Sequence, residues 1–504
     1  MVGCFIFMGS SRDKFLAAAG LYYNTRYDTV CLIKDGCVEK KKILFVNPPS
    51  RETVYLKTFV KVGAPSYPNI TLGVLAGQLA ARHRVRIMDL ELCPDPWADL
   101  KSAIREFQPD FVATTSKTPY FHQAMRILRS AKEADSRVTT LIGGVHATTF
   151  PEETVEDGTV DIVVCGEGEE TIREIVDGRD LASIEGIHYK DEQGRSRKNP
   201  ERKLVSDLDS LAFPVWEGYD LSRYANSRLS SRKNPCGLLE TSRGCPYQCN
   251  YCNKNIFGSR CRYKSTERVM EEIRFYLESG FRELHVVDDS FTQDLDRAKE
   301  ICAAILRRGF KFPWALFNGV RVDRVDLEFF QLAKRAGCWQ VAFGVESGDQ
   351  GILDRVGKKT TVPKIRKAME DAKRAGLDTF GFFILGLPGE TEDTLKETIR
   401  FSKSLPFDMV KYDILVPYPG TPCYKELLAE NRIRTTDWSK YLCHGLDEPV
   451  FDHPNLRWET LSFYYKKAFR DFYLDPRFIW RRFFRSLRMG DLWFDFKYFI
   501  NTRW

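Results

Sequence analysis

The sequence predicts an α/β protein with two successive sheets and a mostly helical C-terminal region. The first observation is that short apolar segments alternate with helix-like segments from Lys42 onwards. Such alternation indicates parallel strands joined by helices that cover both faces of a sheet. The second observation is a loop with three cysteines directly after the apolar segment Gly237–Ser242. Because α/β folds carry their chemistry beyond the carboxyl ends of strands, the loop predicts a reactive centre there.

The first sheet is predicted over residues 41–180 as an open, Rossmann-like parallel sheet. Residues 1–40 precede it, show no sustained periodicity and form an N-terminal extension to which the sequence assigns no role. The predicted strands begin at Lys42 and then cover Val85–Asp89, Asp110–Thr115, Thr139–Gly143 and Asp161–Cys165. The predicted helices are Leu72–Ala81, Trp97–Phe107, His122–Ala134 and Glu169–Val176. A nucleotide-like ligand is expected at the carboxyl ends of the strands.

A second set of strand and helix units is predicted over residues 231–430. After Gly237–Ser242, the predicted strands are Glu283–Val287, Ala315–Phe317, Gln340–Phe343, Thr379–Ile384 and Met409–Val416. The predicted helices are Thr266–Ser279, Asp294–Arg307, Glu328–Ala336, Val362–Ala375 and Thr391–Ser404. Six units are too few for a closed eight-stranded barrel, so we expect a partial (β/α)6 barrel of the TIM type. Residues 181–230, which contain the polar segment Asp191–Arg202, are predicted to be a linker.

Length and composition restrict the class of protein. A chain of 504 residues has room for about two to four domains, and its 43% apolar and 29% charged residues are typical of a globular protein. The 14 cysteines lack the paired spacing of a disulfide framework, which favours a reducing compartment. A net charge of +7 does not indicate a nucleic-acid partner. No apolar run approaches the roughly 18 residues of a membrane span, so we expect a cytoplasmic protein.

Cys245, Cys249 and Cys252 form the candidate metal site of the loop. Three thiolates at this spacing can bind one metal centre, but a [4Fe–4S] cluster normally takes four. The missing ligand predicts an open iron where a substrate or cofactor coordinates. The alternative is a structural zinc site completed by Cys236 or Cys261. Neither of these two cysteines has a C-x-x-C partner, which disfavours zinc.

The segment Cys-Pro-Tyr-Gln-Cys-Asn-Tyr-Cys resembles the C-x-x-x-C-x-x-C signature of radical S-adenosylmethionine (SAM) enzymes, with Tyr251 at the aromatic position common in that family. The resemblance implies that the cysteines hold a [4Fe–4S] cluster whose fourth iron is chelated by the amino and carboxylate groups of SAM. One electron, from a donor such as flavodoxin or ferredoxin, then cleaves SAM to a 5′-deoxyadenosyl radical. That radical abstracts hydrogen from an unactivated carbon, so no catalytic residue of the chain is required for this step.

Strand ends in residues 231–430 resemble the segments that contact SAM in the same family. By this resemblance Asp288 and Asp289 meet the amino group, and Arg321 faces the carboxylate. Glu346 and Ser347 lie in Gly-Val-Glu-Ser and would accept or share hydrogen bonds with the ribose or the amino group, while Gly389 approaches the adenine. Alternatives remain for three of these residues: a solvated helix cap for the two aspartates and a surface salt bridge for Arg321.

A second resemblance covers about residues 41–180. The ordered motifs Asn-Pro-Pro, Val-Arg-Ile-Met-Asp, Gly-Gly-Val-His and Gly-Glu-Gly-Glu resemble the cobalamin-binding domain that precedes the radical SAM domain in one large subfamily. The residues implied to border cobalamin and its nucleotide tail are Ser116, Thr118, Gly143, Gly144, Gly166 and Gly168. The Asp-x-His-x-x-Gly motif that supplies a cobalt ligand in other cobalamin proteins is absent. His146 is therefore expected to form a hydrogen bond near the tail.

The C-terminal region, residues 431–504, is rich in aromatic and basic residues from about residue 455 onwards. One interpretation is an interfacial helix that lays aromatic rings into a membrane boundary, peripheral to the inner membrane face. The other is a helical cap on the barrel with a cationic outer face, which we favour. The membrane interpretation would favour a lipophilic substrate.

Together these resemblances imply a cobalamin-dependent radical SAM enzyme that methylates an unactivated carbon of a small biosynthetic intermediate. SAM would serve twice, as the source of the radical and as the methyl donor to cobalamin. The second interpretation keeps the same cofactors but forms a ring, as in the anaerobic magnesium-protoporphyrin monomethyl ester cyclase. A third is a non-catalytic cobalamin- or metal-binding regulatory module, which predicts no SAM cleavage.

Overall fold

The computed structural model describes residues 40–50, 66–443 and 448–501. The predicted N-terminal extension, residues 1–40, lies outside these residues except for Lys40. The first sheet has seven strands in the order β2-β1-β3-β4-β5-β6-β7. They are β1 (Lys42–Asn47), β2 (Arg84–Asp89), β3 (Phe111–Thr115), β4 (Thr139–Gly143), β5 (Ile162–Val164), β6 (Ile187–Lys190) and β7 (Ser196–Lys198). The pairs from β2 to β5 are parallel, as predicted.

The segment predicted as a linker differs from expectation at its beginning. β6 pairs antiparallel with β5, and β7 pairs antiparallel with β6, so a hairpin extends the first sheet. All three residues of β7 are exposed. An edge hairpin that faces water needs no apolar pattern, and for that reason its polar sequence resembled a linker.

Helices cover both faces of this sheet. They are α1 (Ile70–Ala80), α2 (Pro96–Phe107), α3 (Phe121–Ala134), α4 (Val145–Thr149), α5 (Pro151–Glu156) and α6 (Glu169–Val176). Asn69 and Asp95 accept hydrogen bonds from the first turns of α1 and α2, which fixes where these helices begin. The two apolar faces of the sheet pack into separate clusters, with Phe45 on one side and Val46 on the other.

The second sheet contains six parallel strands in the order β15-β14-β13-β12-β11-β8. They are β8 (Cys236–Leu239), β11 (Glu283–Val286), β12 (Trp314–Val320), β13 (Cys338–Glu346), β14 (Asp378–Leu385) and β15 (Met409–Ile414). Each strand pairs with the next one along the chain, which is the arrangement of an incomplete barrel. The predicted α/β fold class is confirmed.

The helices of this sheet mostly begin at capping residues. They are α7 (Thr266–Glu278), α8 (Leu295–Arg307), α9 (Leu327–Arg335), α10 (Gln350–Arg355), α11 (Val362–Arg374), α12 (Glu392–Ser404) and α13 (Pro422–Ala429). Asp294 and Thr391, predicted as first helical residues, are the N-caps of α8 and α12.

The segment between the sheets is packed rather than free. The ring of Trp216 lies 5.2 Å from that of Tyr276 on α7, and Tyr219 donates a hydrogen bond to the carbonyl oxygen of Asn69. One apolar cluster includes Phe45 of the first sheet and Leu284 of the second. The edges of the two sheets are therefore held at a fixed distance from each other.

The C-terminal region forms α14 (Trp458–Tyr473), α15 (Pro476–Met489) and α16 (Leu492–Asn501). Tyr465 and Phe469 of α14 pack on β15, with the ring of Phe469 5.2 Å from that of Tyr412. Within the described residues, none of the helices combines the length and the apolar character that crossing a membrane requires.

Candidate active site

The cysteine loop lies between two short strands, β9 (Ser242–Arg243) and β10 (Arg262–Tyr263), which pair antiparallel at the carboxyl end of β8. Gly244 begins the loop with φ of +87°, and a Cβ there would lie 2.3 Å from the carbonyl oxygen of Arg260. Only glycine fits this conformation and this approach. The turn therefore fixes the direction in which the loop leaves β9.

The far side of the loop is held by the turn after α10. The amide of Asn250 donates to the carbonyl oxygen of Val356 (3.1 Å), and the Cys249 thiol lies 3.8 Å from the carbonyl oxygen of Gly357. A Cβ on Gly357 would lie 2.9 Å from the carbonyl oxygen of Gln248. These contacts hold the backbone on both sides of Cys249.

The thiols lie in a partly buried setting with one cation. Burial raises the pKa of Cys245, and it raises the pKa of Cys252 to about 11. Lys254 lowers both pKa values, and its ammonium donates to the carbonyl oxygens of Cys245 (2.9 Å) and Tyr247. Three thiols beside a cation, in a loop of fixed backbone, fit an iron–sulfur cluster that binds them as thiolates.

Of the two cysteines that could complete a zinc site, the structure places Cys236 away from the loop and Cys261 beside it. Cys236 begins β8, at the opposite end of the strand from the loop, and lies near Glu283 and His285. Glu283 accepts hydrogen bonds from the amides of Arg232 and Lys233 and from the indole of Trp339, so its oxygens already have partners. Cys261 does lie beside the loop, with its thiol 3.2 Å from the carbonyl oxygen of Gly244.

The two aspartates after β11 have different surroundings. Asp288 is buried, and its oxygens accept from the Thr241 amide, the Thr241 hydroxyl and the Ser242 hydroxyl, each at 2.6 Å. Burial raises its pKa. Asp288 therefore holds the strand that leads into the cysteine loop. Asp289 accepts from the Gly244 amide at 3.0 Å and presents its carboxylate towards the loop.

Glu346 and Ser347 also differ in what they contact. Glu346 has φ of +68°, which is uncommon for a residue with a side chain, and accepts a hydrogen bond from Lys358 at 2.6 Å. Tyr251 is partly buried beside it, and burial followed by the charge of Glu346 raises the pKa of this tyrosine. Ser347 is fully buried, shares a hydrogen bond with the Thr398 hydroxyl at 3.0 Å and accepts from the Asp349 amide. Ser347 thus fixes the turn after β13.

Arg321 lies at the edge of the cysteine loop. Its guanidinium stacks 3.4 Å from the ring centroid of Tyr247, in the middle of the Cys245–Cys252 segment. It also pairs with Asp323 (2.9 Å) and donates to the carbonyl oxygen of Lys358 (2.7 Å). The side chain therefore joins two segments, its own and the turn at Lys358, to the loop.

Gly389 lies in a tight loop after β14. Its φ is +87°, and a Cβ would lie 2.4 Å from Nε of Arg355. Glu390, which follows, is fully buried and accepts from the amides of Gly386 and Leu387. Burial raises the pKa of Glu390 to about 8.

A cavity at the carboxyl edge of the first sheet extends to the residues that follow β8, the first strand of the second sheet. The first sheet lines it with five of the residues predicted to border cobalamin, namely Ser116, Gly143, Gly144, Gly166 and Gly168. The second sheet and the cysteine loop line it with Glu240, Arg243, Ile256 and Phe257. This cavity is therefore shared by both sheets.

The glycines of this cavity fit the approach of a large ligand. Gly144 has φ of +93°, and a Cβ there would lie 2.5 Å from the carbonyl oxygen of Ser116. Gly166 has φ of +72°, and a Cβ there would meet no atom of the described residues within 4 Å, so its backbone borders open space. A backbone with no side chains at the mouth of a cavity suits a cofactor that must come close to it.

Thr118 and His146 do not line this cavity. The Thr118 hydroxyl lies 3.2 Å from Nδ1 of His146, and both side chains are buried. The imidazole lies against the rings of Phe121 (4.2 Å), Phe150 (5.4 Å) and Trp438 (5.1 Å). Burial lowers the pKa of His146 to about 4, so a neutral imidazole joins the first sheet to the C-terminal region.

A buried ion-pair network connects the cavity to the cysteine loop. Arg243, two residues before Cys245, donates to Glu240 (2.7 Å), Glu167 (2.9 Å) and Glu169 (2.6 Å), and only 4% of its side chain is exposed. Arg262 on β10 donates to Glu167 as well, at 2.8 Å. The glutamates of Gly-Glu-Gly-Glu therefore bind the strand that carries the cysteines.

Three parts of this site were not predicted from the sequence: the ion pairs of Arg243, the cation Lys254 beside the cysteines, and Lys358 beside Glu346. The glutamates of Gly-Glu-Gly-Glu were evident in the sequence, but their partner Arg243 lies 76 residues after Glu167. Lys254, two residues after Cys252, was close enough in sequence to be noticed as a cation beside three thiols.

Two protein-family models match the chain. The B12 binding domain matches residues 57–176, and the radical SAM superfamily matches residues 239–402. A methyltransferase of uncharacterized function from Pyrococcus horikoshii, PH0819, is 34% identical over 444 residues, covering 86% of this chain and 93% of that protein. The cytidylyl-2-hydroxyethylphosphonate methyltransferase of Streptomyces wedmorensis is 29% identical, covering 66% and 69%. The anaerobic magnesium-protoporphyrin IX monomethyl ester cyclase of Rubrivivax gelatinosus is 27% identical, covering 75% and 69%.

A solved structure supports the fold independently. The radical SAM methyltransferase TsrM from Kitasatospora setae, solved with cobalamin and a [4Fe–4S] cluster bound, superposes with a TM-score of 0.66 at 20% identity, covering 87% of this chain and 90% of that one. The identity with PH0819 extends over both matched domains and nearly the whole length of that protein. The chain belongs to the cobalamin-dependent radical SAM enzymes of the methyltransferase type, whose cofactors are a [4Fe–4S] cluster, SAM and cobalamin.

Proposed function

We propose that this enzyme transfers a methyl group to an unactivated carbon of a small biosynthetic intermediate. When bound, the cofactors supply a 5′-deoxyadenosyl radical from SAM at the cluster and a methyl group carried by cobalamin. The protein must then hold both cofactors and one substrate carbon close together while it excludes water. No residue of the chain needs to abstract the hydrogen atom.

The observation that carries this proposal is the shared wall of the cavity. Glu240 and Arg243 line it, and Arg243 lies two residues before the first cysteine of the loop. A cofactor at the carboxyl edge of the first sheet would therefore border the cysteine loop. Methyl transfer requires this proximity, because a carbon radical must meet its methyl donor before it reacts elsewhere.

We propose Cys245, Cys249 and Cys252 as the cluster ligands, with Tyr251 packed between them and Glu346. For SAM, the carboxylates of Asp289 and Glu346 are the acceptors that geometry favours. Asp288 and Arg321 support the loop through the contacts they already make, and Ser347 supports the turn after β13. Gly389 supports the neighbouring turn by allowing the close approach of Arg355.

On the cobalamin side, we propose that Ser116, Gly143, Gly144, Gly166 and Gly168 border the cofactor. The amides and hydroxyls of these loops offer hydrogen-bond donors, and the glycines let the ligand approach the backbone. Thr118 and His146 would act one layer further out, by fixing the loop that carries Gly144. The His146 imidazole, enclosed by three aromatic rings, is not proposed as a cobalt ligand.

The test is anaerobic incubation of the reconstituted enzyme with methyl-labelled SAM, a reductant and an extract of the host. The expected result is 5′-deoxyadenosine together with a labelled product that is heavier than its precursor by one methyl group. A product that has lost hydrogen without gaining the label would instead support ring formation of the cyclase type. No 5′-deoxyadenosine under any condition would contradict radical chemistry.

Cys249→Ala tests the ligand assignment. We expect this variant to lose the visible absorbance of the cluster and the formation of 5′-deoxyadenosine, because two thiolates do not hold a [4Fe–4S] cluster in place of three. Cys93→Ala, at a partly exposed cysteine of the first sheet, is the matched control and should keep both. Retained iron and activity in Cys249→Ala would refute the assignment.

The proposal extends to location and partners. We place the enzyme in the cytoplasm, where thiols stay reduced and where a one-electron donor such as flavodoxin or ferredoxin is available to the cluster. A helical cap on the barrel and a membrane contact can coexist, because α14 packs on β15 while α15 and α16 expose apolar residues. We therefore also propose a peripheral contact of the C-terminal region with the inner face of the membrane, which suits a lipophilic small-molecule substrate.

A further inference from the structure

The helix α15 is oriented with its apolar residues towards solvent. Trp480 is 61% exposed, Phe484 is 60% exposed and Leu487 is 51% exposed. On the following helix, α16, Trp493 is 75% exposed and Phe496 is 52% exposed. Exposed apolar residues occur singly on most protein surfaces, but a continuous group of large ones marks an interaction site.

Three of the five arginines of α15 face the body of the protein instead. Arg481 donates to the carbonyl oxygen of Phe407 at 2.5 Å, and Arg485 pairs with Asp378 at the beginning of β14. Arg482 pairs with Asp495 of α16 at 2.5 Å. These contacts hold both helices in one orientation, so the exposure of the apolar residues is built into the fold. This reverses the usual orientation of an amphipathic surface helix.

The charge of this surface indicates what covers it. α15 carries no acidic residue and Arg488 on it is exposed, so a second copy of the chain docked on this surface would bring like charges together. Cations also lie at the margins of the apolar surface. Arg488 shares a depression with Phe484. Lys466 and Arg470 line another with Phe463, Leu474 and Pro476, where two further lysines and two aspartates complete the wall. Tryptophan and phenylalanine bordered by exposed cations match the interface of an anionic bilayer.

We propose that the solvent face of α15 and α16 binds the surface of an anionic phospholipid bilayer. The rings of Trp480, Phe484 and Trp493 enter the boundary between headgroups and acyl chains. Arg470 and Arg488 lie at the level of the lipid phosphates. This inference deepens the membrane contact assigned under the proposed function, but it does not depend on the reaction that the enzyme catalyses.

The experiment measures sedimentation of the reconstituted full-length enzyme with vesicles. One set contains phosphatidylglycerol mixed with phosphatidylcholine, and the other contains phosphatidylcholine alone. We expect binding to the anionic vesicles that is at least about tenfold stronger than to the neutral ones and that weakens with added salt. Binding to neither set would overturn the proposal.

The variant Trp480→Ser/Phe484→Ser tests the surface itself. It should bind anionic vesicles at least about tenfold more weakly, because two large rings no longer enter the interface. Leu428→Ser is the matched control, since Leu428 on α13 is 51% exposed outside this surface. Equal circular dichroism and equal iron content in both variants would show that folding is intact. Unchanged vesicle binding by the double variant would overturn the proposal.

Sedimentation velocity without vesicles tests whether a second copy of the chain covers this surface instead of lipid. If the parent enzyme is a dimer and the double variant is a monomer, the surface binds a second copy and the lipid proposal is wrong. Because vesicle binding needs no SAM cleavage, a failure here leaves the methyltransferase assignment intact, and a failed turnover assay leaves this inference intact.

Discussion

Replacing Arg243 by methionine should destabilise the enzyme strongly and separate its two cofactor sites. Methionine keeps much of the length of the arginine side chain but removes its charge. In the folded protein the guanidinium contacts three carboxylates, and only 4% of the side chain is exposed. Glu167 keeps Arg262 as a partner, whereas Glu169 and Glu240 lose their contact with Arg243.

The size of the effect follows from burial. Removing one partner of a buried pair costs about 3–5 kcal/mol, because the remaining charge stays out of water without compensation. At about 1.4 kcal/mol per factor of ten, this is roughly a hundredfold to several-thousandfold change in the unfolding equilibrium. The phenylalanine ring at 257, which lies 5.0 Å from the guanidinium, would lose a cation–π contact as well. We expect Arg243→Lys to lose less, because it restores the charge but not all three contacts.

The assay combines urea unfolding with measurement of bound iron and cobalamin by absorbance after reconstitution. Arg434→Met is the matched control. Its side chain is 52% exposed and pairs with an exposed Asp452, so its removal should change the unfolding free energy by less than about 1 kcal/mol. Arg243→Met should also bind less cobalamin per chain, since Glu167 and Glu169 lie in the loop at the cavity. An unfolding free energy within about 1 kcal/mol of the parent, with full cobalamin content, would refute the reasoning.

Two further predictions concern the loops around the cofactors. Gly144→Ala places a Cβ 2.5 Å from the carbonyl oxygen of Ser116 at φ of +93°, so it should shift the loop. The amount of bound cobalamin, measured by absorbance, should fall. Gly158→Ala is the control and should leave the amount of bound cobalamin unchanged, because the added Cβ meets open space. Equal cobalamin content in both variants would contradict the assigned role of this loop. Glu390 has its pKa raised by burial from 4.5 to about 8, so its contribution to stability is full below about pH 4.5 and is lost as the pH rises towards 8. Glu390→Gln should therefore reduce the loss of stability between pH 5 and 8 in urea titrations, and an unchanged pH profile would show that this group does not titrate in that range.

Much of the fold follows from local pattern. Buried parallel strands read as short apolar runs, and each predicted strand of the second sheet overlaps an observed one because both of its faces are covered. The hairpin of β6 and β7 escaped prediction because an exposed edge has no need of apolar residues. Two helices were predicted to begin one residue too early. Their capping residues, Asp294 and Thr391, were taken as the first helical residues.

The site was predictable in its chemistry but not in its pairings. Three cysteines at this spacing predict their own role, since the proposed ligand set lies within eight residues. The choice between Asp288 and Asp289 could not be made from sequence, because it depends on the hydroxyls of Thr241 and Ser242, 47 and 46 residues away from Asp288. The orientation of α15 was equally hidden. A helical pattern shows that one face is apolar, but only the contacts of Arg481 and Arg485 show which face meets solvent.

The backbone at Glu346 and the ion pair of its side chain act on stability in opposite directions. A residue with a Cβ at φ of +68° costs about 1–2 kcal/mol relative to an ordinary conformation, and glycine would remove that cost. Glycine would also delete the carboxylate that pairs with Lys358 and lies near the cysteine loop. Leaving the buried Lys358 ammonium without its partner would cost about 3–5 kcal/mol, which exceeds the strain that glycine relieves. The ion pair therefore holds the strained backbone in place, and a search for heat-resistant variants would gain nothing by removing this side chain.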